Sequence, residues 1–177
     1  AIVYDYDGGI ELDDLNVEGI FQLDHQLITH CEDEQTIRAN LDRAKAQYGE
    51  DIPMSMHPVI RSEEACYLSS STAVKLAKKY NAKLHVFHIS TAKETELFSN
   101  KKALGSKRIT SEVCVHHLWF DDSQYETKGS HIKWNPAVKK ADDKEGLWKA
   151  LLDGRIDVVA TDHAPHTKEE KENKYSQ

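Results

Sequence analysis

Ala160-Thr161-Asp162-His163-Ala164-Pro165-His166 follows the apolar run Ile156-Asp157-Val158-Val159-Ala160, a junction of strand and polar cluster. A β-branched run broken by one Asp suits a strand of a parallel sheet, covered on both faces. The polar cluster then falls at the strand's C-terminal end, the rim where active sites of α/β proteins gather. The same residues also suit a plain turn, with Asp162 capping backbone amides and Pro165 fixing the chain. What precedes the junction separates the two readings.

Working back from it, Asp142 and Glu145 predict a capping box for a helix through Leu147, Trp148, Leu151 and Leu152 that Gly154 stops. Ile109 to Val115 reads as a strand tipped by His116-His117. Leu84 to Ile89 reads as another, with His88 near its end, and Thr91 with Glu94 predicts a capped helix to about Ala103. Ser62 caps a helix to Tyr80, behind an irregular connection at Met54, Met56, His57 and Pro58. Leu27 to His30 is a short strand, followed by a helix from Glu34 to Tyr48 that Gly49 ends. Val3 and Tyr4 can end a further strand, and Val17 to Phe21 can form a short helix. The acidic stretch between them lacks the spacing of a calcium loop. Four strands separated by helical segments make half of an eight-fold barrel, or a small open sheet; periodicity does not choose between them.

A chain of 177 residues holds one domain with a real core, whereas a complete (β/α)8 barrel typically takes about 250. The formal charge of -7, without a basic stripe, speaks against a nucleic-acid partner. No apolar run approaches the ~20 residues that cross a bilayer, and the N-terminus has no signal-peptide pattern, so a cytoplasmic protein with no membrane partner is expected. Cys31, Cys66 and Cys114 are isolated, which predicts reduced, buried thiols. Trp119, Trp134 and Trp148 read as core, Trp134 beside Asn135 being nearest a pocket. Residues 1–166 read as one barrel unit and 167–177, with no aliphatic core residue, as a mobile charged loop.

Parallel strands bring His30, His88 and Asp162 to one rim, although they lie far apart in sequence. Imidazole and carboxylate are good ligands for Zn²⁺ and similar ions, and three such groups leave a position open for water. Strand alternation turns His85 and His88 to opposite sides, which favours His88 as the ligand. His116 and His117, adjacent on a strand tip, do not both point inward, and either is assigned a structural role or one supporting a metal ligand. His57 and Arg61 read as hydrogen-bonding structural residues.

These residues carry a resemblance. Ala160 to His166, followed by four residues and Lys171, resembles the C-terminal signature of dihydroorotases, members of the amidohydrolase superfamily. His30-Cys31-Glu32-Asp33, His88-Ile89-Ser90-Thr91, Glu112 with His116-His117, and Lys133-Trp134-Asn135-Pro136 follow in the family's order. The resemblance implies strands five to eight of a (β/α)8 barrel, a centre of one or two Zn²⁺ ions, and reversible interconversion of N-carbamoyl-L-aspartate and L-dihydroorotate in pyrimidine biosynthesis. It implies that His30, His88 and Asp162 bind metal, that Asp162 is also the catalytic base and then acid, and that Asn135 and His166 bind the small-molecule substrate.

The family's His-x-His pair is absent from these 177 residues, and the first lysine is Lys45, too late to be the family's carboxylated lysine. Asp5 or Asp7 can substitute as a ligand. The expectation is a C-terminal half that is inactive alone and prone to pair with another chain, a second copy included. A related cyclic amidase (a dihydropyrimidinase or allantoinase) and a non-catalytic scaffold subunit are the alternatives.

Overall fold

The computed structural model describes residues 2–4 and 17–175. Asp5 and Asp7 lie outside the described residues. Five parallel strands run in chain order: β1 (Ile2–Tyr4), β2 (Gln26–Thr29), β3 (Lys83–Val86), β4 (Ile109–Cys114) and β5 (Val158–Ala160). Each consecutive pair is parallel, with Tyr4 opposite Thr29, Leu27 opposite Leu84, His85 opposite Thr110 and Cys114 opposite Ala160. Consecutive neighbours joined through helices make this an arc of a (β/α)8 barrel rather than an open sheet with a reversal of strand order.

The helices form where the sequence caps them. Helix α1 spans Val17–Phe21. In α2 (Glu34–Tyr48) the Asp33 carboxylate accepts from Thr36 N at 2.9 Å, and Gly49 leaves the helix at φ 61, where a side chain would be strained. After the short α3 (His57–Ile60), α4 (Glu63–Tyr80) is capped by Ser62, which accepts from Ala65 N, and stopped by left-handed Asn81. Helices α5 (Val115–Trp119), α6 (Tyr125–Lys128), α7 (Ala141–Leu152) and α8 (Lys168–Lys171) complete the set.

Alternation along the strands sorts the two faces of the sheet. Leu27, Leu84, Val86 and Val113 turn to the helices and are buried with Val74 and Ala77 of α4 and Leu147 and Ala150 of α7. Each such aliphatic side chain contributes about 1.5–3 kcal/mol. The other face carries His85, which contacts Thr110 Oγ1 at 2.8 Å and the Glu112 carboxylate at 3.0 Å. At the β5 edge Val158 and Val159 are both exposed, so neither face of this strand is covered.

Several expected elements differ. The helix expected from Thr91 to about Ala103 is a single 3-10 turn, Glu94–Leu97. The capping contact exists, since Glu94 Oε2 accepts from Thr91 N at 3.2 Å, but the chain turns extended at Phe98, which is buried in the core. Helix α7 starts at Ala141 without a side-chain cap, one residue before the expected Asp142. The strand expected to run to Val115 ends at Cys114, which puts His116 and His117 on the first turn of α5. Trp119 and Trp148 are not core: they are 75% and 44% exposed. Residues of the charged segment 167–177 include the capped turn α8, and Tyr175 is buried against Ile37, Ile52 and Ile60.

Candidate active site

The C-terminal ends of the strands open into a cleft of about 1010 Å³. His30, His88, Asn135, Asp162 and His166, the residues singled out from sequence, all line it. His30 and His88 follow β2 and β3, whose pairing sets them side by side. His30 Nδ1 lies 2.8 Å from His88 Nε2, and the rings meet edge to face. Asp162 follows β5, and its charge reaches the Cys114 thiol on β4.

Backbone geometry marks two of these positions. His88 and Asp162 hold φ values of 34 and 47, a region that non-glycine residues rarely occupy. Such strain persists where the surroundings over-determine a conformation, and it gathers at functional sites. Burial, then the neighbouring His30, pushes the His88 imidazole down to about 3, so the ring stays neutral. Its Nδ1 is buried without a hydrogen-bond partner. Two imidazoles with converging nitrogens fit a divalent cation.

Glu32 fixes the orientation of His30. Its carboxylate lies 3.1 Å from His30 Nε2 and pairs with the Arg61 guanidinium. Burial alone would raise this carboxyl, but the hydrogen bond from His30 and the charge of Arg61 outweigh it and hold it at about 2. A carboxylate on one ring nitrogen leaves the other directed at the cleft, the usual support of a metal-bound histidine. In the sequence Glu32 stands only as part of a motif, and its place two positions beyond a candidate ligand is the signal for this role.

The remaining wall carries three lysines beside Glu170, and Lys174 pairs with Asp51 at 2.6 Å. Lys133, Lys171 and Lys174 line the cleft, with Lys133 Nζ donating to Tyr175 O at 2.7 Å and Lys171 Nζ to Lys133 O at 2.8 Å. Burial lowers both Lys133 and Lys171. His166 is exposed and sits 3.6 Å from Glu170. Trp134 stacks on His116 at 4.4 Å between ring centroids. His57, read from sequence as structural, lies under this wall, 2.6 Å from Trp134 O and 2.9 Å from the Tyr175 hydroxyl.

Known proteins resemble this chain in sequence and in fold. The dihydroorotase of Bacillus pumilus is 36% identical over 153 residues, which cover 84% of this chain and 33% of that protein. That of Carboxydothermus hydrogenoformans is 45% identical over 98 residues, 55% of this chain and 23% of that protein. The chain is a dihydroorotase relative. It spans about a third of the length of the curated dihydroorotases it matches. No family model matches it. Among solved structures, this dihydroorotase relative superposes on a D-hydantoinase from Bacillus sp. AR9 with a TM-score of 0.82 at 22% identity, covering 99% of this chain and 40% of the other. An L-hydantoinase (dihydropyrimidinase) from Arthrobacter aurescens gives 0.78 at 26% identity, covering 88% and 35%. The barrel arc is therefore that of the amidohydrolases, whose dihydroorotase and hydantoinase members are metal-dependent hydrolases of cyclic amides. No helix of the described residues is long and apolar enough to cross a membrane.

Proposed function

We propose that this chain carries the strand-end half of a dihydroorotase site, which opens and closes the ring between L-dihydroorotate and N-carbamoyl-L-aspartate in pyrimidine biosynthesis. The observation that carries the reading is the 2.8 Å approach of His30 to His88 in a cleft that Asn135, Asp162 and His166 also line. His30 and His88 would hold a zinc ion, with Asp162 as a further ligand. When bound, such an ion polarises the ring carbonyl and lowers the pKa of water from ~15.7 to about 7.

The protein's own groups do the rest. Asp162 takes the proton of the attacking water and returns it to the ring nitrogen as the carbon–nitrogen bond breaks. Asn135 hydrogen-bonds the ring, and His166 anchors the substrate carboxylate. The wall lysines Lys133 and Lys171 support an anionic substrate over an uncharged ring. The reading includes a cytoplasmic setting, which the three unpaired, buried thiols support.

The close superposition on hydantoinases favours a second reading, a cyclic amidase acting on a neutral ring. Rates of the full-length protein on dihydroorotate, dihydrouracil and allantoin separate the two. Preference for dihydroorotate, abolished by Asp162→Ala, is expected; preference for either neutral ring replaces the first reading with the second. The 177-residue chain by itself, without a His-x-His pair, is expected to show no appreciable turnover with added Zn²⁺.

A further inference from the structure

The start of α5 gathers three side chains that the chemistry above leaves unused. Ligand atoms of Cys114, His116 and His117 lie within 4.8 Å of one another, and all three residues are buried. Cys114 closes β4, and the two histidines follow on the first turn of α5. On an extended strand neighbouring side chains diverge, but on a helical turn they sit about 100° apart and can share a target. The imidazole rings are 4.3 Å apart, centroid to centroid.

A core explanation leaves one atom unexplained. His117 Nε2 lies 3.0 Å from Pro136 O, and a carbonyl only accepts, so Nε2 carries the ring proton. The lone pair is therefore on Nδ1, which is buried and has no hydrogen-bond partner. A buried acceptor without a partner is costly, and a native structure rarely carries one without a use. His116 borders the cleft, so an ion entering from there meets it first. The carboxylates of Asp162 and Glu112 lie close enough to act on the Cys114 thiol, which makes the surroundings favourable to a cation.

We propose that Cys114, His116 and His117 form a cation site of their own for a borderline-soft divalent ion such as Zn²⁺, with its fourth position open toward the cleft. Thiolate with imidazole selects zinc-like ions over magnesium and calcium. Binding replaces the thiol proton: the sulfur–hydrogen bond breaks, a sulfur–metal bond forms, and the proton leaves to solvent. This differs from the His30 and His88 corner, where no cysteine is among the described residues that line the cleft, so its test does not depend on turnover.

The experiment is titration of the protein with Co²⁺, followed by near-ultraviolet absorption. A sulfur-to-cobalt charge-transfer band is expected in the unaltered protein and in Cys31→Ser and Cys66→Ser, and its loss in Cys114→Ser. Absence of the band in the unaltered protein, or its survival in Cys114→Ser, overturns the proposal. Should Cys114→Ser lose the circular dichroism of the parent, X-ray absorption of the unaltered, zinc-loaded protein decides. A zinc–sulfur shell at about 2.3 Å supports the site, and a shell of nitrogen and oxygen alone overturns it.

Discussion

His57 Nδ1 and the Tyr175 hydroxyl lie 2.9 Å apart, joining residues separated by 118 positions and tying the segment after β5 to the wall of the cleft. The other ring nitrogen of His57 meets Trp134 O at 2.6 Å. One buried imidazole thus holds two parts of the site rim together.

The protonation of His57 gives a pH dependence of stability. Burial lowers its pKa from 6.5 to about 3 despite the bond to Trp134. Between those values the unfolded chain binds a proton that the folded chain refuses, so stability is full above 6.5 and falls as pH falls toward 3. The limiting slope is about 1.4 kcal/mol per pH unit. Urea unfolding of the wild type and His57→Gln across this window is expected to differ in slope by that amount, with the variant flatter. Equal slopes would show that His57 does not set the dependence.

Tyr175→Ala is expected to release the segment after β5 locally. The ring is buried, its hydroxyl meets His57, and its carbonyl accepts from Lys133. Truncating a buried aromatic costs about 3–5 kcal/mol, here mostly from local opening. Trypsin should cut at Lys168 and Lys171 faster than in the wild type, with little change in the global urea midpoint. A midpoint drop without faster cleavage contradicts this.

Glu32→Ala removes the partner of both His30 and Arg61, whose side chain is 16% exposed. A stranded, mostly buried guanidinium costs about 3 kcal/mol. Freed from its carboxylate, His30 is expected to bind Zn²⁺ about 10–100-fold more weakly, read by competition with a chelating dye. Unchanged affinity would mean that Glu32 does not orient His30.

Gly146 marks a close approach of α7. A Cβ there would lie 2.4 Å from Ala92 Cβ and 3.0 Å from Ala92 Cα. Gly146→Ala gains about 1 kcal/mol in helix propensity but forces α7 away, so a net loss of about 1–2 kcal/mol is expected in denaturant unfolding. A stabilised variant would show that α7 relaxes freely.

Leu152 of α7 and Trp119 of α5 stand 80% and 75% exposed, and Val158 and Val159 of β5 are exposed as well. Apolar surface of this kind drives association. Sedimentation velocity of the 177-residue chain should show self-association that Trp119→Glu with Leu152→Glu reduces, at unchanged circular dichroism. Identical profiles would place the contact elsewhere.

Local chemistry made much of this protein legible from sequence. Gly49 and Ser62 bound α2 and α4 because caps and left-handed turns depend on residues within one helical turn. The strand-tip pattern of His30, His88 and Asp162 was readable because parallel strands place their ends on one rim whatever their separation in sequence. The tertiary structure decided what depends on distant partners. Phe98 was drawn into the core and ended a helix that Thr91 and Glu94 had begun. The paired strands fixed where β4 ends, and with it whether His116 and His117 diverge on a strand or meet Cys114 on a turn. Arg61 against Glu32 and Tyr175 against His57 join positions whose proximity no local period encodes. Capping and alternation act over a few residues and are written in the chain; burial and ion pairing act through space and exist only once it has folded.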